Sequence, residues 1–235
     1  MKQLKRKRAS TMKTTGNSRV SLVDHMGSDL SVVNAARVSF DKISEKFSDK
    51  DAKLIAYLAK HNHWSPFAHC FVSFRIAAPI FVARQLVKHQ VGLSWNEVSR
   101  RYVDDEPEFF FPKKWRGKPG NAKQGSSGVF DKKFMVDGNK EIMDFHVSSL
   151  CYSALHLYKQ AIYQGMAPEQ ARMVLPLNTM TTWIWSGSLY AFARVCNLRL
   201  DSHAQLETQE VAKEIYSCLK ALYPVSTEAL IESVN

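Results

Sequence analysis

Between His69 and Ala77 the apolar residues fall on alternate positions: Cys70, Val72, Phe74 and Ile76 are interleaved with Phe71, Ser73 and Arg75. Successive side chains of a strand point to opposite faces, so this stretch reads as a strand with one face in a core. Pro79 ends the alternation. Its fixed φ and missing N–H suit a first helical turn, which predicts a helix from Pro79 to about Gln90. A strand running straight into a helix, and then into a crowded polar stretch, constrains the fold more than any other segment. On that helix Arg84 and Lys88, and Gln85 and His89, are four apart, giving two adjacent polar stripes that lead into the residues up to Tyr102.

The remaining pattern alternates in the same way. Ser18 to Asp24 reads as a short strand. Asp29 to Arg37 has helical spacing, with Ser28 or Asp29 available as a cap. Ser48 can cap a second helix whose apolar positions are Leu54, Ile55, Leu58 and Ala59, ending near His61. A long helix is expected from about Asn139 to Gln164, stopped by Gly165. Pro168 opens a short helix to Arg172, Val174 to Ser186 reads as extended, and Ser188 to Asn197 and Ser202 to Leu222 read as helices. No periodicity holds from Lys113 to Gly128, which predicts a mobile loop near 113–136. The expected class is α+β, with a mostly antiparallel central sheet flanked by helices and a single domain over 18–235.

Charge narrows the partners. The net charge is +10 over 235 residues. Residues 1–19 carry Lys2, Lys5, Arg6, Lys7, Arg8, Lys13 and Arg19 and no acid, so +7 of the total sits there. Residues 1–17 therefore read as a basic, disordered tail on a nearly neutral body. A single-strand nucleic-acid module using Phe109 to Arg116 is the rival from another class, but no known nucleic-acid motif accompanies it. No apolar run reaches the roughly 20 residues of a membrane span. Cys70, Cys151, Cys196 and Cys218 form no Cys-x-x-Cys pair, which fits buried thiols in a reducing cytoplasm. His61, His63 and His69 lack a cysteine or carboxylate partner at ligand spacing, so no metal site is assigned.

The polar cluster itself carries the chemistry. Basic, amide, imidazole and hydroxyl groups crowd together from Arg84 to Tyr102, and buried without partners they would cost desolvation energy. A solvated helix end would account for some of them. Ser99 and Arg101, joined by Arg172, have the donor set for a phosphate dianion. The spacing Ser94-x-Asn96-Glu97-x-Ser99-x-Arg101-Tyr102 resembles the signature loop of flavin-dependent thymidylate synthases, with Lys88-His89-Gln90 where that family usually has Arg-His-Arg. Four further blocks resemble the family in the same order. They are Asn34 to Phe40, read as a first helix and the strand after it; the histidine-rich turn Leu58 to His69; Ala171 to Asn178; and Asn197 to Gln205.

The resemblance implies a reductive methylation of dUMP to dTMP, with methylenetetrahydrofolate as carbon donor, FAD as hydride carrier and NADPH as reductant. It implies a cytoplasmic homotetramer whose active sites are shared between chains. It assigns Gln85, Glu97, Ser99, Arg100, Arg101, Arg172 and Arg199 to dUMP. Ser39, His63, Ser65, Lys88, His89, Gln90, Asn96 and His203 fall to FAD, with Asn178 a weaker candidate, and Arg199, His89 and Lys88 to catalysis. Asp201 is read as orienting its neighbours. This chain departs from the pattern at Lys88 and Gln90, at Leu93 (a one-residue insertion), and at Ala68, where relatives often carry glutamate. Ser188, Tyr190 and Arg194 stand where relatives often have Asn, Arg and Asn. An inactive scaffold of the same fold is the alternative those departures raise. No Gly-x-Gly-x-x-Gly is present, so scattered side chains must hold the flavin.

Overall fold

The computed structural model describes residues 12–103, 105–120, 125–130, 134–136, 139–141 and 143–231. In chain order it begins with β1 (Lys13–Thr15), β2 (Arg19–Met26), α1 (Asp29–Arg37), a 3-10 turn at Val38–Phe40 and α2 (Asp49–Lys60). Then come α3 (Ser65–Ala68), β3 (Phe71–Pro79), α4 (Ile80–Leu86), β4 (Leu93–Glu97) and β5 (Glu108–Phe110). Short strands follow: β6 (Arg116–Gly117), β7 (Ser127–Val129), β8 (Phe134–Val136) and β9 (Asn139–Glu141). The last part holds α5 (Met143–Tyr163), α6 (Pro168–Ala171), a 3-10 turn at Arg172–Val174 and β10 (Met180–Ser188). It ends with α7 (Leu189–Arg199), α8 (Leu206–Leu222) and α9 (Pro224–Leu230).

The chain divides into two compact units, where one domain over 18–235 was expected. The larger comprises Ser18–Val98, Lys114–Phe130 and Thr181–Asn235; the smaller holds Ser99–Lys113, Asp131–Met180 and the residues up to Asn17. The division follows from two separate apolar clusters, one per unit.

In the larger unit a four-stranded sheet runs in the order β2-β3-β10-β4, with β2 and β3 antiparallel and β4 and β10 antiparallel. The alternation read in β3 is realised: Val72, Phe74 and Ile76 are fully buried while Phe71 and Arg75 face out. Burying each such side chain is worth about 1.5–3 kcal/mol. Val32 and Val33 of α1, Ile55 of α2, Phe192 of α7 and Val211 and Ile215 of α8 complete this core with Trp183 and Trp185 of β10. Helix starts are closed as their sequences suggest. Ser28 N–H donates to Ser31, and Ser48 donates its N–H and hydroxyl to Asp51 at 2.8 and 2.7 Å. Buried Asp29 accepts from the first amides of α9, Val225 N–H at 3.0 Å and Ser226 N–H at 2.9 Å.

The smaller unit is built on β1 lying parallel to β5, with Lys13 opposite Glu108 and Thr15 opposite Phe110. Phe109, Cys151 of α5 and Leu155 of α5 form its buried cluster, against which Met12, Phe111, Val147 and Leu175 pack. Lys159 pairs with Glu106 at 2.8 Å.

Several expectations are corrected. Residues 13–15 are a strand, not tail, because β5 offers them backbone partners; residues 1–11 lie outside the described residues. Val38–Phe40 is a 3-10 turn rather than a strand. Pro79 closes β3 and precedes α4, which ends at Leu86 and not near Gln90. Ser94 to Glu97 belongs to β4 rather than to a loop, because Leu93 and Trp95 are the half-buried positions of a strand paired with β10. The 113–136 stretch contains β6 paired with β7, and the whole of β8. The extended segment starts at Met180 rather than Val174, α8 starts at Leu206, and α9 was not anticipated.

Candidate active site

His89 follows the end of α4, and Arg199 is the last residue of α7, where a helix dipole favours a cation. Arg199 Nε donates to His89 Nε2 at 2.9 Å. A ring nitrogen that accepts a hydrogen bond carries no proton, so the imidazole is neutral with its proton on Nδ1. Partial burial, with the charges of Arg199 and Arg194, holds its pKa below the ordinary histidine value. The His89 ring lies 6.5 Å from that of Trp185, which Trp95 meets edge-on at 5.5 Å while stacking on Trp183 at 4.4 Å.

Gln85, one turn earlier on α4, is fixed from α8. Its amide donates in a short bond to Gln205 Oε1, and its carbonyl accepts from Thr208 Oγ1 at 3.2 Å. Gln209 donates to the carbonyls of Ala204 and Ser202 at 2.7 and 3.4 Å, and Asp201 accepts from the His203 backbone at 2.7 Å and its ring at 2.9 Å. Residues 199–209 are therefore held as a shaped segment. Glu97 on β4 accepts from Thr181 at 2.7 Å and Trp95 at 3.2 Å. Lys88, Gln90 and Asn96 are exposed nearby in sequence, and Ser39 is exposed on its 3-10 turn.

A cleft of about 430 Å³ opens in the same unit, lined by the end of α2, the histidine-rich turn, α7 and α9. Lys60, His63, Trp64, Tyr190 and Arg194 supply its cations, imidazole and aromatic faces, with Trp64 and Tyr190 rings 6.2 Å apart. Arg194 links the cleft to His89 electrostatically. Ser65, at the start of α3, is exposed.

The smaller unit holds the other predicted groups. Ser99 Oγ accepts from Arg101 N–H at 3.3 Å and from its Nε at 3.4 Å, and the Arg101 guanidinium stands 5.1 Å from the Tyr102 ring. Arg100 donates to the Asp105 carbonyl at 2.9 Å, and Arg172 to the Glu169 carbonyl at 3.3 Å. Arg101 and Arg172 are exposed. Asn178 is spent internally, donating to the Phe110 carbonyl at 3.0 Å and contacting Cys151. All four thiols are pushed up by burial, Cys70 to about 11 and Cys196 to about 12, so none is an activated nucleophile.

A sequence model of the family described as thymidylate synthase complementing protein matches residues 21–225. The chain is 38% identical over 211 residues to the flavin-dependent thymidylate synthase of Thermosipho africanus, covering 90% of each. It is 39% identical over 217 residues to that of Wolbachia pipientis wMel, covering 91% of this chain and 73% of the relative. It belongs to the flavin-dependent thymidylate synthase family. A crystal structure of a UMP/dUMP methylase, PolB from Streptomyces cacaoi bound with 5-Br dUMP, aligns at TM-score 0.80 and 30% identity over 93% of this chain and 96% of that one.

Leu93 opens β4 opposite Gly187. The sequence reading missed Thr208 and Gln205 as partners of Gln85, and Lys60 and Trp64 as cleft residues. Gln205 and Trp64 sit inside recognised blocks, which was the available signal. Thr208 lies one helical turn beyond Gln205 and gave none.

Proposed function

We propose that this chain converts dUMP to dTMP, taking the carbon from methylenetetrahydrofolate and using FAD as hydride carrier and NADPH as reductant. The observation that carries the reading is the neutral His89 held by Arg199, together with a Gln85 amide fixed from α8. Gln85, Glu97 and Arg199 would bind the pyrimidine, and Arg199, using Nε for His89, turns its remaining N–H groups to a ring carbonyl. Ser99, Arg100, Arg101 and Arg172 would take the phosphate, the exposed guanidiniums of Arg101 and Arg172 offering paired donors.

The residues present suit a flavin dinucleotide. Lys60 and Arg194 match its diphosphate, Trp64 and Tyr190 offer faces for a planar ring, and a cleft of about 430 Å³ falls within the usual range of ligand pockets. His63, Ser65, His89 and His203, with Ser39, Lys88, Gln90 and Asn96, would complete the flavin contacts. Once reduced, bound FAD supplies the hydride that completes the methyl group. Neutral His89 donates through Nδ1 without adding a cation, and Lys88 adds the charge next to it. We take the working form to be a cytoplasmic homotetramer with active sites shared between chains. Its support is the run of exposed apolar side chains along α5, with Phe145, Tyr152 and Tyr163 on one side and Leu150 and Leu157 on another.

Purified full-length protein should retain FAD, or take it up when added, as read by its visible absorbance. It should oxidise NADPH and release dTMP only when dUMP and methylenetetrahydrofolate are both supplied. Protein that stays colourless with added FAD, or that leaves dUMP unchanged, refutes the reading.

A further inference from the structure

Arg116 lies on the two-stranded ribbon of β6 and β7, within the stretch whose sequence predicts a free loop. Its Nη2 donates to both carboxylate oxygens of Glu207 at 2.7 and 2.8 Å, and its Nε donates to Ser126 on the same ribbon at 2.7 Å. Glu207 is only 5% exposed and stands in the first turn of α8. The residue after it, Thr208, and the one two before it, Gln205, are the two that hold Gln85. The ribbon also reaches the preceding turn, where a Cβ at Gly125 would lie 3.7 Å from the His203 carbonyl oxygen. One guanidinium thus ties an otherwise short ribbon to the middle of the 199–209 segment. A surface ion pair would do little, but one rigid guanidinium that holds a buried carboxylate through Nη2 and Ser126 through Nε fixes direction as well as distance.

We propose that Arg116 is a positioning residue for substrate binding: through Glu207 it sets the first turn of α8, and hence the orientation of Gln85. The inference rests on the reading of this site as the dUMP and flavin site. Lysine at this place keeps the charge but has no second, rigidly placed nitrogen to hold Ser126 while it pairs with Glu207. Misplacement of a substrate-orienting group by about 1 Å costs up to about a hundredfold.

The test uses the full-length chain and its Arg116→Lys and Arg116→Gln variants, with dUMP affinity measured by calorimetry in the presence of FAD and unfolding followed by heat. Amide hydrogen exchange is read across residues 201–209 and across β3. In both variants dUMP should bind about tenfold or more weakly, with exchange faster at 201–209 and unchanged in β3. Arg116→Lys retains a charge for Glu207, so its unfolding midpoint should stay nearer that of the parent than that of Arg116→Gln, while its affinity loss persists. Unaltered dUMP affinity in folded Arg116→Lys, or unaltered exchange at 201–209 in either variant, overturns the proposal. If the parent itself binds neither dUMP nor FAD, the functional reading fails instead, and the exchange data still decide whether Arg116 orders the segment.

Discussion

At the scale of single residues the site turns on protonation and on which guanidiniums are committed. His89 accepts from Arg199 only while neutral, and burial with two nearby cations keeps it so. Its folded pKa is depressed, so the unfolded chain takes up a proton that the folded chain refuses. The stabilising contribution is therefore complete above the ordinary histidine value of about 6.5 and declines as the pH falls below it. Denaturant unfolding between about pH 7.5 and pH 5.5 should show a steeper loss of stability in the parent than in His89→Gln, whose amide does not titrate. Equal slopes would remove His89 from this account. Arg101 is a different case. Arg100 is tied to a backbone carbonyl, whereas Arg101 is exposed and leans on Ser99 and Tyr102. Arg101→Ala should weaken dUMP binding by about 1.5–3 kcal/mol, the worth of hydrogen bonds to a charged group, while leaving FAD retention unchanged. Titration of each ligand separately measures the split, and a parallel loss of both would place Arg101 in the flavin site.

At the scale of elements, β4 and β10 meet at a point where two backbones come very close. Leu93 pairs with Gly187, and a methyl group built on Gly187 would fall on the Gly92 carbonyl oxygen. Gly92 itself has φ +75°, the left-handed region that glycine occupies without penalty. Gly187→Ala should therefore destabilise the protein by about 1–3 kcal/mol, as overpacking does. Chemical denaturation checks this, and an unchanged midpoint would show that the strands can part there at no cost. The same region shows what was legible in the sequence. β3 was readable because Val72, Phe74 and Ile76 obey period two without interruption. α1 and α2 were readable because Ser28 and Ser48 announce their starts. β4 was hidden because Ser94, Asn96 and Glu97 are polar, and its half-buried Leu93 and Trp95 gain meaning only from β10, which lies far away in sequence. The site followed the same rule. Contiguous residues such as Lys88 to Gln90 could be named as candidates from one block, whereas the bonds from Gln85 to Gln205 and Thr208, and from Arg116 to Glu207, join separate segments that no local pattern links.

At the scale of the whole molecule, the basic N-terminal residues are not one passive tail. Residues 1–11 carry Lys2, Lys5, Arg6, Lys7 and Arg8, while Lys13–Thr15 form β1 and Met12 packs against the cluster of the smaller unit. β1 gives its backbone to β5, and Thr15 also accepts from Phe111 N–H at 2.8 Å. Two truncations should therefore behave differently. Removing residues 1–11 takes away five cations and should leave the unfolding midpoint and dTMP formation unchanged, because like-charge runs of this kind stay hydrated. Removing residues 1–17 deletes the strand as well. It leaves β5 without that partner and uncovers part of the Phe109, Cys151 and Leu155 cluster. Buried backbone groups left unpaired cost about 1–3 kcal/mol each, so this deletion should lower stability measurably. The smaller unit also carries Ser99, Arg101 and Arg172, so the proposed phosphate contacts should suffer before the proposed flavin contacts do. Thermal unfolding and separate dUMP and FAD titrations of both truncations resolve the two effects. A 1–17 deletion as stable as the 1–11 deletion would mean that β1 adds nothing to the fold.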